Sequence, residues 1–486
     1  MPVMHRSSTP IPEPLGRRLQ ETVGPEHVIT EPARLMAYES DALTSVRGSP
    51  RAVVFPGTEE QTARVVGLLH EADVPFVPRG SGTGLAGGAI ARDAVLVATV
   101  RLNRILEIDA TARRAEVEPG VVTNEISAAA AARGLRYLPD PASGSTCTIG
   151  GNVATNAGGP HCLRDGVTTD HVLGLNLVMP DGERLRLDRG DDGGLDLAGV
   201  VVGSEGTLGI VTRVRIRLAP RAPAVGTALA LFDDVGTAGA AVSRIIGRGL
   251  LPVALELVDR NTIRIVEESE FAAGLPTDAG AALIVESEGL EPEVEAEMAR
   301  VRETLEASGA RGVEVAREEE RRRQLWQARK KAYGALGRLA PDILVQDAAV
   351  PRSVLPDLLP EIERIADEHG VTLANFFHAG DGNVHPNLLF DRRDADQLRR
   401  VEEASAEIME LCVDAGGTIT GEHGVGLDKR EYMPLIFGER EIAAQRRLKR
   451  AFDPAGRCNP GKLLPDEDGG RTPGAASTGG NGDGTT

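Results

Sequence analysis

Histidine and carboxylate side chains are concentrated in two glycine-rich stretches of the second half of the chain. Residues 375–387 contain His378 and His385, and residues 418–426 contain Glu422 beside a further histidine. Two imidazoles and a carboxylate form a common ligand set for a divalent metal ion. We therefore predict that His378, His385 and Glu422 bind a metal ion.

The two histidines must come to one side of the chain before they can share an ion. They lie an odd number of positions apart, and on a straight strand such side chains face opposite ways. The intervening Asp381-Gly382-Asn383 sequence is typical of a turn, which would let both imidazoles converge. The alternative is that these histidines are scattered structural side chains.

A candidate cation for an acidic ligand stands on a predicted helix. Trp326 and Arg329 are spaced to share one helix face. An arginine held there could bind a carboxylate through two parallel hydrogen bonds. The alternative is a solvated basic face on this helix. Its other cations are Arg321, Arg322, Arg323, Lys330 and Lys331. Lys429 is a second candidate for the same role.

Residues 139–159 consist almost entirely of small side chains. They have little apolar surface to bury, so we expect neither a core helix nor an ordinary strand here. Main-chain N–H groups in such a stretch can wrap a large, flat, polar ligand. The alternative is a long surface loop. The candidate ligand-binding residues are Pro141, Ser143, Gly144, Ser145, Thr146, Gly150, Gly151, Asn152, Thr155, Asn156, Ala157, Gly158 and Gly159.

A second glycine cluster spans residues 78–89 and follows an apolar run at residues 74–77. Consecutive N–H groups in such a loop form a nest for phosphate oxygens. A Rossmann loop would open a helix, whereas the next apolar run, at residues 94–98, is another predicted strand. We therefore predict a pyrophosphate-binding loop between two strands. Its candidate residues are Arg79, Gly80, Ser81, Gly82, Thr83 and Gly84.

These stretches together resemble the FAD domain of the vanillyl-alcohol oxidase and p-cresol methylhydroxylase fold. Residues 202–212, with Glu205, Gly209 and Ile210, agree with it, and residues 458–463, with Asn459, resemble the family's C-terminal return to the flavin. From about residue 20 to Pro465 the chain is most similar to FAD-linked subunits of glycolate oxidase and to D-lactate dehydrogenases. The resemblance implies FAD as a cofactor. We expect non-covalent attachment, because residues 78–89 contain neither His nor Cys.

The resemblance also implies roles for individual residues. His423 matches the position of the family's catalytic base, which would take the hydroxyl proton of a 2-hydroxy acid. His378, His385 and Glu422 match metal ligands of related enzymes, with zinc or manganese as the ion, and the two imidazoles would also contact substrate. Arg329 matches a substrate-binding arginine. Two positions depart from the family pattern. Lys330 stands where a glutamate is usual, and Asp165 stands where an aromatic residue is expected.

Composition limits the partners and the location. The net charge of −18 disfavours nucleic-acid binding, which needs basic patches. The four cysteines form no iron–sulfur ligand pattern, so an electron-transfer cluster would belong to a partner subunit, and a quinone is the other acceptor considered. We expect reduced thiols and a cytoplasmic protein. With no apolar run long enough to span a bilayer, any association with the inner face of the membrane would be peripheral.

The predicted fold class is α+β. We expect an N-terminal arm and helix at residues 1–45 and an FAD-binding domain of two α/β subdomains at residues 46–220. A cap domain at residues 221–465 would have an antiparallel sheet with packed helices and would bind substrate. Residues 466–486 are predicted to be a disordered tail, because they are mostly Gly, Ser, Thr, Asp and Pro. Locally, we expect Thr123 to cap a helix and residues 219–224 to act as a linker.

The predicted activity is FAD-dependent oxidation of a small 2-hydroxy acid, glycolate or D-lactate, with electrons passed to an acceptor other than NAD. A D-2-hydroxyglutarate dehydrogenase is the alternative within the fold. A metallohydrolase that uses His378, His385 and Glu422 is an alternative from another class, and a non-catalytic flavoprotein subunit is a third. Flavin absorbance, and its bleaching by substrate, would separate these possibilities.

Overall fold

The computed structural model describes residues 9–190 and 194–466. Most of the predicted N-terminal arm at residues 1–12 and of the predicted tail at residues 466–486 therefore lies outside the described residues. From residue 9 onward, every unit of the fold is a sheet with helices packed against it. The fold class agrees with the α+β prediction.

The first unit is a small sheet in which β1, β2, β4 and β3 are neighbours in that order. β2, β4 and β3 run parallel, and the β3–β4 connection is the glycine loop rather than a helix. The buried face of α3 packs on this sheet through Val65, Val66, Leu68 and Leu69. The elements are α1 (Glu13–Val23), β1 (Val28–Ile29), α2 (Pro32–Leu35), β2 (Ala52–Val54), α3 (Glu59–Glu71), β3 (Phe76–Arg79) and β4 (Val95–Ala98).

The second unit is an antiparallel sheet in the order β5, β6, β10, β8, β9. A turn at residues 180–183 joins β8 to β9, and Gly182 adopts φ 93° there, where a side chain would be strained. The elements are β5 (Ile105–Asp109), β6 (Arg114–Val117), α4 (Thr123–Ala131), β7 (Leu135–Arg136), α5 (Ile149–Thr155), α6 (Cys162–Asp165), α7 (Thr168–His171), β8 (Val172–Val178), β9 (Arg184–Asp188), α8 (Leu197–Val201), β10 (Ile210–Arg217) and β11 (Ala219–Pro220).

Three local predictions in this unit were wrong. Thr123 does not cap α4, because its hydroxyl accepts a hydrogen bond from Asn152 Nδ2 at 2.6 Å. Residues 219–220 are not a free linker but pair with β7. Within residues 139–159, residues 149–155 form the short helix α5. Thr148 caps α5 by accepting from the N–H of Gly151, and Ile149 and Val153 bury the apolar surface that the small residues lack.

The large third unit is a mainly antiparallel sheet in the order β15, β12, β14, β13, β18, β19, β17, with β20 pairing β18 and β16. The first half of its elements is β12 (Ala224–Phe232), α9 (Val235–Gly247), β13 (Ala254–Asp259), α10 (Arg260–Glu267), β14 (Ala281–Gly289), α11 (Glu291–Glu306), β15 (Gly312–Ala316) and α12 (Glu319–Leu336). The second half is β16 (Asp342–Val345), β17 (Ala348–Ala349), α13 (Leu355–Glu368), β18 (Thr372–His378), β19 (Asn383–Val384), β20 (Pro386–Phe390), α14 (Ala395–Asp414) and α15 (Glu439–Phe452).

Helices cover both faces of this sheet, and strand alternation decides which face each side chain joins. On β13, Leu255 and Leu257 pack with α9, α11, α13 and α14 on one face. Val258 packs with α10 and α12 on the other. Glu256 alternates with the two leucines and therefore points to the α12 side. That is the side on which the candidate site is built.

Candidate active site

A cavity of about 650 Å³ lies between the loops of the first two units and the α12 side of the large sheet. This size and mixed lining are typical of a small-molecule or cofactor site. Most of the residues predicted to bind a cofactor line it. They are Arg79, Gly80, Ser81, Gly82, Thr83, Gly84, Pro141, Ser143, Gly150, Gly151, Asn152, Thr155, Ala157, Glu205, Gly209 and Ile210.

Seven further predicted cofactor residues are not among the described residues that line the cavity. Asn156 instead ends α5 in a left-handed conformation, with φ 52°, and its Oδ1 accepts from the N–H of Thr169 at 2.8 Å. Asn459 Nδ2 donates to the carbonyls of Gly88 and Glu205, which ties the C-terminal stretch to the cofactor loops. The other five are Gly144, Ser145, Thr146, Gly158 and Gly159. A direct cofactor contact by these residues stays a prediction.

The glycines of this wall keep space for a ligand. A side chain at Gly84 would meet nothing within 4 Å, so the surface there is open. At Gly80 a Cβ would come within 2.5 Å of Thr148 Oγ1, and at Gly150 within 2.5 Å of Pro119 Cβ. The backbone therefore packs closely on its own neighbours and leaves its outer side free, as a flat polar cofactor requires.

Arg79 stabilises the glycine loop at residues 80–89. Its guanidinium donates to the carbonyl oxygens of Ser40 at 2.8 Å and Ala89 at 3.3 Å. Asp41 lies beside it and accepts the N–H of Ala89, and burial raises the pKa of Asp41 to about 6. These contacts fix the backbone of the 80–89 segment beside the cavity.

At the other end of the cavity, the turn at residues 381–383 brings His378 and His385 together, with ring centroids 5.3 Å apart. Glu422 Oε1 lies 3.2 Å from His378 Nε2 and 3.4 Å from His385 Nε2. Both Nδ1 atoms donate elsewhere: His378 to Glu256 Oε1 at 2.7 Å and His385 to the carbonyl of Gln346 at 3.3 Å. Both Nε2 atoms are thereby turned toward Glu422.

Hydrogen bonds and opposite charges within this cluster shift the pKa values of its members. Burial opposes ionisation of Glu422, but hydrogen bonds from His378 and His385 hold its pKa well below the usual range. Burial likewise opposes protonation of His378, and the negative charge and hydrogen bond of Glu256 raise its pKa well above the usual range. The three side chains line the cavity, and they can hold a divalent cation once the Nε2 protons that bond Glu422 are released.

His423 lies next to this group and stacks on His385, with ring centroids 5.0 Å apart and planes at 11°. Burial lowers the pKa of His423 to about 4, with His385 and Lys429 adding to the effect, so its imidazole is neutral at neutral pH. The His423 side chain lines the cavity. A neutral imidazole at this place can accept a proton from a bound ligand.

Asp347 was not predicted from the sequence, and it organises the loop that carries Glu422 and His423. Asp347 is fully buried and accepts hydrogen bonds from the backbone N–H groups of Gly421, Glu422 and His423. Burial opposes its ionisation, but the protonated form of His423, which exists only at low pH, and the charge of Lys429 hold its pKa below the usual range. No motif marks Asp347 in the sequence, because it precedes its partners by more than 70 residues.

Arg329 is buried, so it does not belong to a solvated basic face. One of its guanidinium nitrogens lies 2.6 Å from Glu256 Oε2, and the guanidinium covers the ring of Phe376 at 5.1 Å. Its Nε finds no hydrogen-bond partner among the described residues, and Asn387 Oδ1, also on the cavity wall, finds none there either. An unpaired buried donor and an unpaired buried acceptor point to a polar ligand.

The other charged residues singled out from the sequence form ion pairs within the protein. Lys429 is buried against Asp347, with Nζ 3.1 Å from Oδ2, so it supports the 420–423 loop and is not directed at a ligand. Lys330 is exposed on α12, 3.6 Å from Asp140, and it also lines the cavity. Asp165 pairs with Arg164 and Arg136 where the second unit meets the large sheet.

Glu205 joins the cofactor loops to the site. Its carboxylate accepts from the N–H groups of Val425 and Gly426, both at 2.7 Å, so its side chain fixes the loop after His423. Glu205 has φ 52°, a strained conformation for a non-glycine residue, and such strain is retained where surrounding contacts determine it.

Two family models match the sequence of this chain. The family model for the C-terminal domain of FAD linked oxidases matches residues 221–463, and the model of an FAD binding domain matches residues 50–188. The chain belongs to the FAD-linked oxidases. It is 42% identical to the glycolate oxidase subunit GlcD of Escherichia coli K12 over 450 residues, which cover 92% of this chain and 90% of GlcD.

Two further comparisons are informative. The D-lactate dehydrogenase of Archaeoglobus fulgidus is 31% identical over 86% of this chain and 93% of its own. The solved structure of p-cresol methylhydroxylase with substrate bound covers 93% of this chain and 96% of its own, with TM-score 0.78 and 16% identity. The first comparison supports the family, and the second shows the fold.

FAD is therefore the cofactor of this family member, and the open glycine wall fits it. Non-covalent attachment stays a prediction. The four cysteines are free. None of the helices in the described part of the chain is both long and apolar enough to span a bilayer.

Proposed function

We propose that this protein oxidises a short 2-hydroxy acid, glycolate or D-lactate, to the 2-oxo acid. One observation carries the proposal. The glycine wall of the FAD-binding region and the buried Arg329, His378, His385 and His423 line the same cavity. A cofactor-sized space thus opens directly onto groups that can hold a carboxylate and take a proton.

Each side chain has a distinct proposed role. Arg329 lines the cavity, and its buried Nε–H has no partner among the described residues, so the guanidinium is free to bind the substrate carboxylate. His423 takes the hydroxyl proton on its imidazole, and the stack on His385 fixes its orientation. When bound, FAD supplies the acceptor for the hydride that leaves the α-carbon. Asp347 and Glu205 hold the His423 loop from its two sides.

We also propose that His378, His385 and Glu422 hold a divalent metal ion, zinc or manganese, beside the hydroxyl. The two Nε2 atoms turned toward one carboxylate oxygen support this assignment. Both Nδ1 atoms have acceptors, as is usual for metal-binding histidines. Without a metal, the same imidazoles would hydrogen-bond the substrate oxygens.

The electrons would leave the protein for an iron–sulfur or other electron-transfer partner subunit, or for a quinone. The four cysteines are spread over the chain at positions 147, 162, 412 and 458, which favours an external acceptor. Contact with such an acceptor is compatible with peripheral attachment at the inner face of the membrane.

Product analysis tests this proposal. Purified protein would be incubated with glycolate, D-lactate, L-lactate or D-2-hydroxyglutarate and an artificial electron acceptor. We expect the 2-oxo acid of a short substrate to accumulate in step with acceptor reduction. Preferred turnover of D-2-hydroxyglutarate would move the assignment to the alternative within the fold. Absence of any 2-oxo acid would overturn the oxidase assignment.

A further inference from the structure

Glu256 is a fully buried carboxylate that the proposed chemistry does not use directly. It lies on β13, and its Cα partner across the sheet is His378 on β18. Its neighbours Leu255 and Leu257 point into the core on the opposite face. A hydrophobic residue would be the simpler choice at a position with no solvent exposure, because a buried charge is costly unless it is paired.

The carboxylate is divided between two partners from different elements. Oε1 accepts from His378 Nδ1 at 2.7 Å, and Oε2 lies 2.6 Å from a guanidinium nitrogen of Arg329 on α12. The cross-strand register brings His378 opposite Glu256, and the packing of α12 on this face brings Arg329 to it. One side chain therefore contacts both the proposed carboxylate-binding group and a proposed metal ligand.

Each contact limits the freedom of its partner. Because the carboxylate can only accept, His378 must carry its proton on Nδ1, and Nε2 is directed at Glu422. Oε2 forms an ion pair with one nitrogen of the Arg329 guanidinium at 2.6 Å, without hydrogen-bond geometry, so the pair fixes the place of the cation beside Glu256. The Arg329 Nε then remains without a partner among the described residues.

We propose that Glu256 is a positioning residue that fixes Arg329 and His378 relative to each other. This inference rests on the proposed function. Glu256 sets the distance between Arg329, which would hold the substrate carboxylate, and His378, which would lie beside the substrate hydroxyl. These two ends of a 2-hydroxy acid are separated by a single carbon–carbon bond, so a small displacement of either group would impair productive binding.

Glu256→Gln separates the two contacts, because the amide oxygen can still lie against Arg329 while the NH₂ group cannot accept from His378 Nδ1–H. We expect the substrate Kd from flavin-reduction titrations to rise roughly 10-fold or more and the limiting rate to fall. Metal content, measured by elemental analysis, should fall as well, since loss of such an outer partner typically weakens metal binding 10–100-fold. Glu256→Asp keeps the charge and should recover part of both.

Asp259→Asn is the matched control. Asp259 is buried on the same strand, and its carboxylate accepts from the N–H groups of Thr262 and Asn375. This variant should lower the thermal midpoint and leave the Kd and limiting rate of the folded protein unchanged. A purely structural Glu256 would give the same pattern in both variants, and that result would overturn the proposal.

A double-mutant cycle with Arg329→Ala decides whether Glu256 acts through Arg329. We expect Glu256→Ala, which removes both contacts, to raise Kd much less in the Arg329→Ala background than in wild type. Fully additive effects would contradict the inference even if each variant is impaired. If wild type reduces its flavin with no 2-hydroxy acid, the proposed function fails. If wild type is active and Glu256→Gln matches it, only the positioning role fails.

Discussion

The carboxylate of Asp347 accepts the backbone N–H of His423 at 2.9 Å. His423, the proposed base, is thus held through its backbone, and its imidazole lines the cavity. The same carboxylate oxygen lies 3.1 Å from Lys429 Nζ, and both side chains are buried. Asp347 therefore stabilises the loop and neutralises a buried ammonium group at once.

Asp347→Asn should impair both stability and activity. Breaking a buried pair by removal of one charge typically costs about 3–5 kcal/mol. We expect a large drop in the thermal midpoint and slower flavin reduction in the protein that remains folded, with FAD still bound. Asp453→Asn is the control, since Asp453 is a buried partner of Lys449. Normal flavin reduction in Asp347→Asn would contradict the loop-holding role.

Two glycines should respond in opposite ways to alanine. A Cβ at Gly84 would stand in open space on the cofactor wall, so Gly84→Ala should weaken FAD binding. A Cβ at Gly158 would lie 2.8 Å from Cys162 Sγ and 2.9 Å from Glu422 Oε2, so Gly158→Ala should slow flavin reduction more than it weakens FAD binding.

FAD content by absorbance and flavin-reduction rate distinguish these two effects. Gly247→Ala, at the end of α9 with open space around it, serves as the control and should change neither quantity. FAD loss in Gly158→Ala together with full FAD retention in Gly84→Ala would reverse our placement of cofactor and substrate.

Much of this arrangement follows from the sequence, and the reasons are local. Asp381-Gly382-Asn383 could be identified as a turn from its residue types, so the meeting of His378 and His385 was predictable. The strand–loop–strand pattern around residues 80–94 likewise excluded a Rossmann helix. Glu256 and Asp347 were not predictable, because their partners His378 and His423 lie 122 and 76 residues away. The register of β13 with β18 brings Glu256 to His378, whereas a bridge between Ala349 and Thr418 brings the Asp347 loop to the His423 loop.

The error at α5 has a different cause. Residues 149–155 have poor helix propensity, and two glycines lie in the first turn. Tertiary packing overrides that propensity: Ile149 and Val153 enter the core of the second unit, and Gly150 allows close contact with Pro119. A pattern of small residues indicated a ligand wall but could not show which part of it was helical.

Arg329→Ala should weaken substrate binding far more than FAD binding. Loss of a charged hydrogen-bonding partner typically costs roughly 1.5–3 kcal/mol, equivalent to about a 10- to 150-fold rise in Kd. Stability should also fall, because Glu256 is left buried without its cation. Arg323→Ala, on the exposed side of the same helix, should change neither. An unchanged Kd and rate in Arg329→Ala would exclude it from substrate binding.

Treatment with a chelator distinguishes the role of the metal ion from the role of His423 as the base. If His378, His385 and Glu422 bind a metal ion, a chelator should abolish flavin reduction with FAD retained, and Zn²⁺ or Mn²⁺ should restore it. His423→Asn should keep both FAD and metal and lose about 10²–10⁴-fold in rate. Full activity after chelation, with no metal found by elemental analysis, would assign the two imidazoles to direct substrate binding.

The central claim is that the glycine wall and the histidine cluster serve one oxidation reaction. Anaerobic mixing of the purified flavoprotein with glycolate or D-lactate tests it most directly, because it needs no external acceptor or partner. The visible absorption of the oxidised flavin should be bleached in a single turnover, and His423→Asn should slow the bleaching. A flavin spectrum that remains oxidised with every 2-hydroxy acid tried would contradict the account.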